Sequence, residues 1–194
     1  MAKAIRIDRT GGPEVMAYVD VEVGDPGPGE ARVRQHAIGI NYIDVYFRSG
    51  QYAHPLPAGL GMEGAGVVEA VGEGVTEVAV GDRVAYAGRP LGAYAEVRNM
   101  PAAILLRLPD AVSFETAAGM MLQGLTVQYL FKRAARLKAG DTILFHAAAG
   151  GVGLIAAQWA RAIGVNMIGT VGSDGKAALA REHGCAHVIN YTTE

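Results

Sequence analysis

The chain has 194 residues, 51% of them apolar, enough to bury a core in one large domain or two small ones. Its 17 basic and 19 acidic residues leave a formal charge of -2 without a run of like charges, which argues against a nucleic-acid partner. No apolar run reaches membrane-spanning length, the N-terminus lacks the charged-then-apolar order of a signal peptide, and the single cysteine, Cys185, excludes an internal disulfide; a cytoplasmic location is expected.

Up to about residue 108 the pattern is short and strand-like. Ala4 to Ile7, Val19 to Val23, Ala31 to Arg34 and Gly64 to Val71 alternate in character and are bounded by turn residues. Gly24-Asp25-Pro26-Gly27-Pro28-Gly29-Glu30 cannot continue a ladder, and Gly81-Asp82 feeds a further strand at Arg83 to Tyr86. This half reads as a β-rich, barrel-like module. After Pro109 the character changes. Ser113 is placed to cap a helix through Ala118, and a second helical stretch runs from about Leu125 to Leu137.

From Asp141 the order becomes strand, glycine turn, helix, strand, helix, strand. The strands are Thr142 to His146, Asn166 to Val171 and His187 to Asn190, with helices at about 151 to 163 and 175 to 183. That alternation builds a parallel sheet by right-handed crossovers. A doubly wound nucleotide domain usually has about six strands, so the fold is expected to continue past Glu194.

The sharpest chemical feature is Ala147-Ala148-Ala149-Gly150-Gly151-Val152-Gly153, which follows an apolar strand and opens a helix. Small residues let the backbone approach a pyrophosphate, while the unpaired N–H groups and dipole of the helix start favour its charge. Ala148 stands at the usual first glycine of the fingerprint, so strand, turn and helix context carries the assignment. Ala149, Gly150, Gly151, Val152 and Gly153 are the expected pyrophosphate contacts.

The second strand ends in Val171-Gly172-Ser173, where NAD-specific proteins commonly place an acidic residue for the ribose hydroxyls. Gly172 allows close approach, Ser173 can hydrogen-bond a 2′-phosphate, Lys176 can neutralise it, and Tyr191 after the third strand is a further donor. NADPH is therefore expected over NADH. Asp174 is the objection, and capping of the helix that starts there is its other role; Lys176 also reads as an ordinary solvated helix residue.

Asn41-Tyr42-Ile43-Asp44, Gly61-Met62-Glu63-Gly64-Ala65-Gly66-Val67-Val68, Gly81-Asp82-Arg83-Val84, Gln123-Gly124-Leu125-Thr126 and the glycine turn together resemble the zeta-crystallin-like quinone oxidoreductase branch of the medium-chain dehydrogenase/reductase superfamily. The resemblance runs through essentially the whole chain. It implies an α/β protein with a GroES-like β-barrel domain over 1–124, followed by the first half of a Rossmann doubly wound parallel sheet over 125–194. It also implies an active site in the cleft between domains and a homodimer at full length.

The zinc alcohol dehydrogenases of that superfamily carry a catalytic cysteine where this chain has Asn41 and a histidine where it has Met62, and their four-cysteine lobe is absent. No metal is therefore expected. The scattered histidines His36, His54, His146, His183 and His187 read as surface or structural. Without a metal to polarise a carbonyl, the acceptor should be a quinone or another conjugated carbonyl compound.

By resemblance Tyr46 and Tyr52 lie beside the nicotinamide pocket, with Asn41 as a third catalytic candidate. Packing of a short helix, Asn41 to Phe47, is the alternative for the tyrosines. The family uses the Asn41 segment and Thr126 to meet the nicotinamide end of the cofactor. Asp44 either orients neighbouring backbone, binds cofactor or sits on a helix surface. Gln123 is expected to face the cleft. Rival functions are an NADPH-dependent enone or enoyl reductase and a non-catalytic, RNA-linked crystallin role. With the remaining Rossmann strands expected after Glu194, the 194-residue chain alone is expected to turn over weakly or not at all.

Overall fold

In the computed structural model, which describes residues 1–194, the elements run β1 (Ala2–Ile7), β2 (Ala17–Val21), β3 (Glu30–Gly39), α1 (Tyr42–Ser49), β4 (Ala58–Gly59), β5 (Glu63–Val71), β6 (Arg83–Ala87), β7 (Val97–Pro101), β8 (Leu106–Arg107), α2 (Phe114–Ala118), α3 (Met121–Gln128), β9 (Thr142–Phe145), α4 (Gly151–Ala162), β10 (Asn166–Val171), α5 (Asp174–His183) and β11 (His187–Asn190). They form two units, Met1–Leu122 and Gln123–Glu194.

The first unit is a pair of antiparallel sheets. One has the order β2-β1-β4 and the other β7-β3-β5-β6-β8. A bridge between Ala4 and Ala95 and the bonds Ile5 N–H to Tyr94 O and Glu96 N–H to Lys3 O stitch one sheet to the other. Strand alternation puts Ala31, Val33, Val68, Val84, Tyr86 and Met100 into one apolar core. The second strand lies at Ala17–Val21 rather than at Val19 to Val23, because its partner ends at Ala2, which faces Val21. β7 is not legible as a strand in the sequence: Val97-Arg98-Asn99-Met100-Pro101 has weak alternation and a closing proline that suits only a strand end.

The second unit is a three-stranded parallel sheet in the order β11-β10-β9, with α4 and α5 as its crossovers. Met167, Val171 and Val188 from the strands pack with Ala156, Ala157 and Ala160 of α4 and Ala177 and Ala180 of α5. Alanines on the helix faces let helix and sheet approach closely. At Gly169 a Cβ would lie 2.5 Å from the Ala148 Cβ, so this packing leaves no room for a methyl group.

The single helix expected from Leu125 to Leu137 is instead α3 followed by a π-helical turn, Tyr129–Ala134. Wider bonds, Ala135 N–H to Leu130 O at 2.9 Å and Leu137 N–H to Phe131 O at 2.8 Å, let Phe131 reach the core before Arg136 ends the turn at φ 52°. No helix is long and apolar enough to cross a membrane.

Candidate functional site

In the second unit the chain leaves β9 and turns sharply at Ala147, whose φ of 55° is left-handed and costs an L-residue about 1 kcal/mol. The turn is held by Gly150 N–H to Ala147 O at 2.9 Å and Ala148 N–H to Thr170 O at 3.1 Å. α4 starts immediately afterwards. A Cβ on Gly153 would lie 2.5 Å from Ala148 O and 2.6 Å from Ala147 O, so only glycine lets the helix begin this close to its own turn. At Gly151 a Cβ would lie 2.7 Å from the Gln123 carboxamide, which gives Gln123 a packing role against the turn.

The two helix starts differ in a way that bears on ligand choice. α4 is capped by Gly150 without a side-chain hydrogen bond and has no acidic residue in its first turn. Its N–H groups and positive dipole end are therefore left for an external anion. α5 is neutralised internally. Ser173 is its N-cap, accepting from Lys176 N–H at 3.4 Å, and Asp174 is the first helical residue rather than the cap. Asp174 Oδ1 accepts from Asn190 Nδ2 at 2.8 Å, which occupies the carboxylate that argues for NADH.

A cavity of about 370 Å³ opens at the C-terminal ends of the three parallel strands. Of the sequence candidates, Ala149, Gly150, Gly172, Lys176 and Tyr191 line it. Gly151, Val152 and Gly153 form the first turn of α4 beside it, Ser173 caps α5, and Thr126 lies on α3, away from its walls. Gly172 is shaped by Tyr191: a Cβ there would lie 2.5 Å from the tyrosine hydroxyl oxygen. Sequence reasoning missed His146, Ala147, Thr170 and Val171 as wall residues. His146, read as surface or structural, has its Nδ1 3.0 Å from Thr170 Oγ1. The available signal was position, since His146 and Thr170 stand at or one step from the ends of neighbouring parallel strands, where such sheets bind ligands.

In the first unit Asn41 is the N-cap of α1, which runs two residues past Phe47 to Ser49. Asp44 is buried rather than on a helix surface. Its Oδ2 accepts from Asn41 N–H at 3.0 Å and from Tyr94 Oη at 2.8 Å, while Oδ1 is buried without a partner. Asp44 thus orients backbone at the helix start. Burial pushes its carboxyl above the ordinary carboxylate range, and those two hydrogen bonds pull it back in part.

Tyr46 and Tyr52 stand with ring centroids 5.2 Å apart, and Tyr52 N–H donates to Tyr46 O at 3.0 Å. Tyr52 also meets Phe47 edge-on, so the structure brings these two candidates together as an aromatic cluster at the C-terminal end of α1.

Glu63 is not a candidate on sequence grounds, yet it is the most completely buried charged residue, at 0% exposure. Its Oε2 accepts from Asn41 Nδ2 at 2.6 Å and its Oε1 from Leu122 N–H at 2.7 Å. Burial raises its pKa, with the Asn41 hydrogen bond the largest opposing influence. The donor set does not suit zinc: Met62 supplies a thioether, the Asn41 amide nitrogen is turned to Glu63, and no three His, Cys, Asp or Glu side chains gather as a metal site would require.

The alcohol dehydrogenase GroES-like domain family matches residues 27–110, and the zinc-binding dehydrogenase family matches residues 151–194. A quinone oxidoreductase of Pseudomonas aeruginosa is 58% identical over 100% of this chain, which covers 60% of that protein. A 2-haloacrylate reductase of Burkholderia is 46% identical over 100% of the chain and 60% of its own length. The crystal structure of Escherichia coli quinone oxidoreductase complexed with NADPH superposes with a TM-score of 0.97 at 51% identity, covering 100% of this chain and 60% of that one. The chain therefore spans about three fifths of the length of these relatives. Glycine turn, parallel strand order, antiparallel barrel-like sheets and this likeness lead to one conclusion: the chain belongs to the quinone oxidoreductase branch of the medium-chain dehydrogenase/reductase superfamily.

Proposed function

We propose that the protein is an NADPH-dependent reductase that passes hydride to a quinone without a metal. The observation that carries the reading is the 370 Å³ cavity at the strand ends, with the uncapped start of α4 on one side and Lys176 and Tyr191 on the other. Cavity and donors fit a dinucleotide phosphate. The α4 N–H groups of Gly151, Val152 and Gly153 hold the pyrophosphate, and Gly172 gives the adenosine end close approach. Lys176, Tyr191 and the hydroxyl proton of Ser173, which its capping bond leaves unused, meet the 2′-phosphate. The NADPH complex of the Escherichia coli relative supports the same cofactor.

When bound, NADPH supplies a hydride to the acceptor. The chain's own residues bind, orient and exclude water. Asn41 and Thr126 hold the nicotinamide end, and Asp44 acts on it through the Asn41 backbone. Tyr46 and Tyr52 form the aromatic wall for a flat acceptor and are the hydroxyl donors for its developing oxyanion. The full-length protein is expected to work as a cytoplasmic homodimer; the one cysteine of this chain, Cys185, is buried and pushed up in pKa by desolvation, hence unreactive.

The similarity to a 2-haloacrylate reductase favours a second reading, an activated alkene in place of the quinone in the same pocket. Oxidation of NADPH by the complete gene product across a panel of quinones and enones separates the two. Quinone-dependent turnover above that with any enone supports the main reading, and the reverse order supports the second.

A further inference from the structure

We infer that His146 is a cofactor-binding residue that donates a hydrogen bond from Nε2 to the dinucleotide pyrophosphate, its ring held for that purpose by Thr170. The inference rests on the reading that the strand-end cavity takes a nicotinamide dinucleotide. His146 follows directly on β9 and precedes the left-handed Ala147, and its exposed side chain lines the cavity together with Ala149 and Gly150 of the turn. Thr170 binds the chain on both sides of that strained residue. Its carbonyl accepts from Ala148 N–H at 3.1 Å, and its hydroxyl oxygen lies 3.0 Å from His146 Nδ1. Turn and imidazole are thus anchored to one residue of β10, and a ring fixed in this way loses little freedom when a ligand arrives.

The chemistry of the pair selects a donor. A threonine hydroxyl both donates and accepts. Where it donates to Nδ1, the ring is neutral and its one proton sits on Nε2. Where it accepts from Nδ1, an anion in the cavity favours the imidazolium, which carries its second proton on Nε2. Both arrangements present an Nε2–H, and of the two ring nitrogens only Nδ1 is bonded within the fold.

The surroundings call for an anion. Lys176 and Tyr191 are the other ionisable side chains on the wall, no carboxylate lines it, and Asp174 is bonded to Asn190. The first turn of α4 has N–H groups that no helical bond uses, since its ladder opens with Leu154 N–H to Gly150 O at 2.9 Å. His146 adjoins this turn in the chain, whereas Lys176 and Tyr191 belong to α5 and the segment after β11, which places His146 with the pyrophosphate and not with the 2′-phosphate.

Two substitutions separate a ligand contact from a structural bond. A glutamine amide NH2 reaches the place of Nε2, and an asparagine amide reaches only that of Nδ1. In the complete gene product, His146→Gln should bind NADPH and NADH within about threefold of wild type, while His146→Asn should lose about tenfold or more for both, the worth of a hydrogen bond to a charged group. Loss for both nucleotides is what a pyrophosphate contact requires. Where either variant does not fold, Thr170→Val and Thr170→Ser carry the test: the variant without the hydroxyl should bind both nucleotides at least about threefold more weakly than the serine variant. An asparagine variant that binds as tightly as the glutamine variant, a loss confined to NADPH, or equal affinities for the two Thr170 variants would overturn the assignment while wild type still binds cofactor. Failure of wild type to bind either nucleotide would remove the cofactor reading and this inference with it.

Discussion

Lys176 is the residue on which cofactor choice turns. It lines the strand-end cavity with Tyr191, and Asp174, two residues before it in the chain, is bonded to Asn190. A charge-assisted contact to phosphate contributes about 1.5–3 kcal/mol. Lys176→Ala should therefore weaken NADPH binding by about tenfold to a hundredfold and leave NADH nearly unchanged, as measured by titration of both nucleotides. Equal weakening of the two would show that Lys176 does not meet the 2′-phosphate. Glu63 offers a second test at this scale, through pH. Burial raises its pKa in the fold, so its share of stability is fully present below its unfolded value, about 4.3, and is lost as pH rises through the folded value. A glutamine side chain carries no such loss. The melting temperature of E63Q relative to wild type should thus become more favourable between about pH 4 and about pH 8. A gap that stays constant or closes in the opposite direction would contradict a raised pKa. Lys176 is legible in the sequence because a strand, a glycine and a helix start mark its place. Glu63 is not, because its partners Asn41 and Leu122 lie 22 and 59 residues away and only the tertiary fold brings them together.

At the scale of elements, the glycine turn and α4 act as one piece. Gly153→Ala would press a methyl group into two backbone carbonyl oxygens that have no freedom to move aside. The expected cost is about 1–3 kcal/mol of stability, seen as a lower melting temperature, together with loss of measurable NADPH affinity. A Gly153→Ala protein with unchanged affinity would mean that α4 does not hold the pyrophosphate. The parallel strands are the most legible elements. Asn166–Val171 and His187–Asn190 match the sequence reading to the residue, since Met167, Gly169 and Val171 alternate inward and turn residues close both ends. The helix after Gly124 is less so, because a π-helical turn and the left-handed Arg136 answer to the packing of Phe131 and leave no periodic trace in the residue pattern.

For the whole molecule, the sequence pattern distinguishes a β-rich first part from an alternating second part, and the structure has the same order, antiparallel sheets and then a parallel one. The chain spans 60% of its relatives' length, and the parallel sheet here has the three strands β11-β10-β9. The most direct test of the central claim is steady-state oxidation of NADPH against NADH by the complete gene product with a quinone acceptor and no added metal. Quinone-dependent turnover with a clear preference for NADPH that a chelator does not abolish is expected; absence of nicotinamide oxidation, or activity that vanishes on chelation, would rule out a metal-free NADPH-dependent reductase.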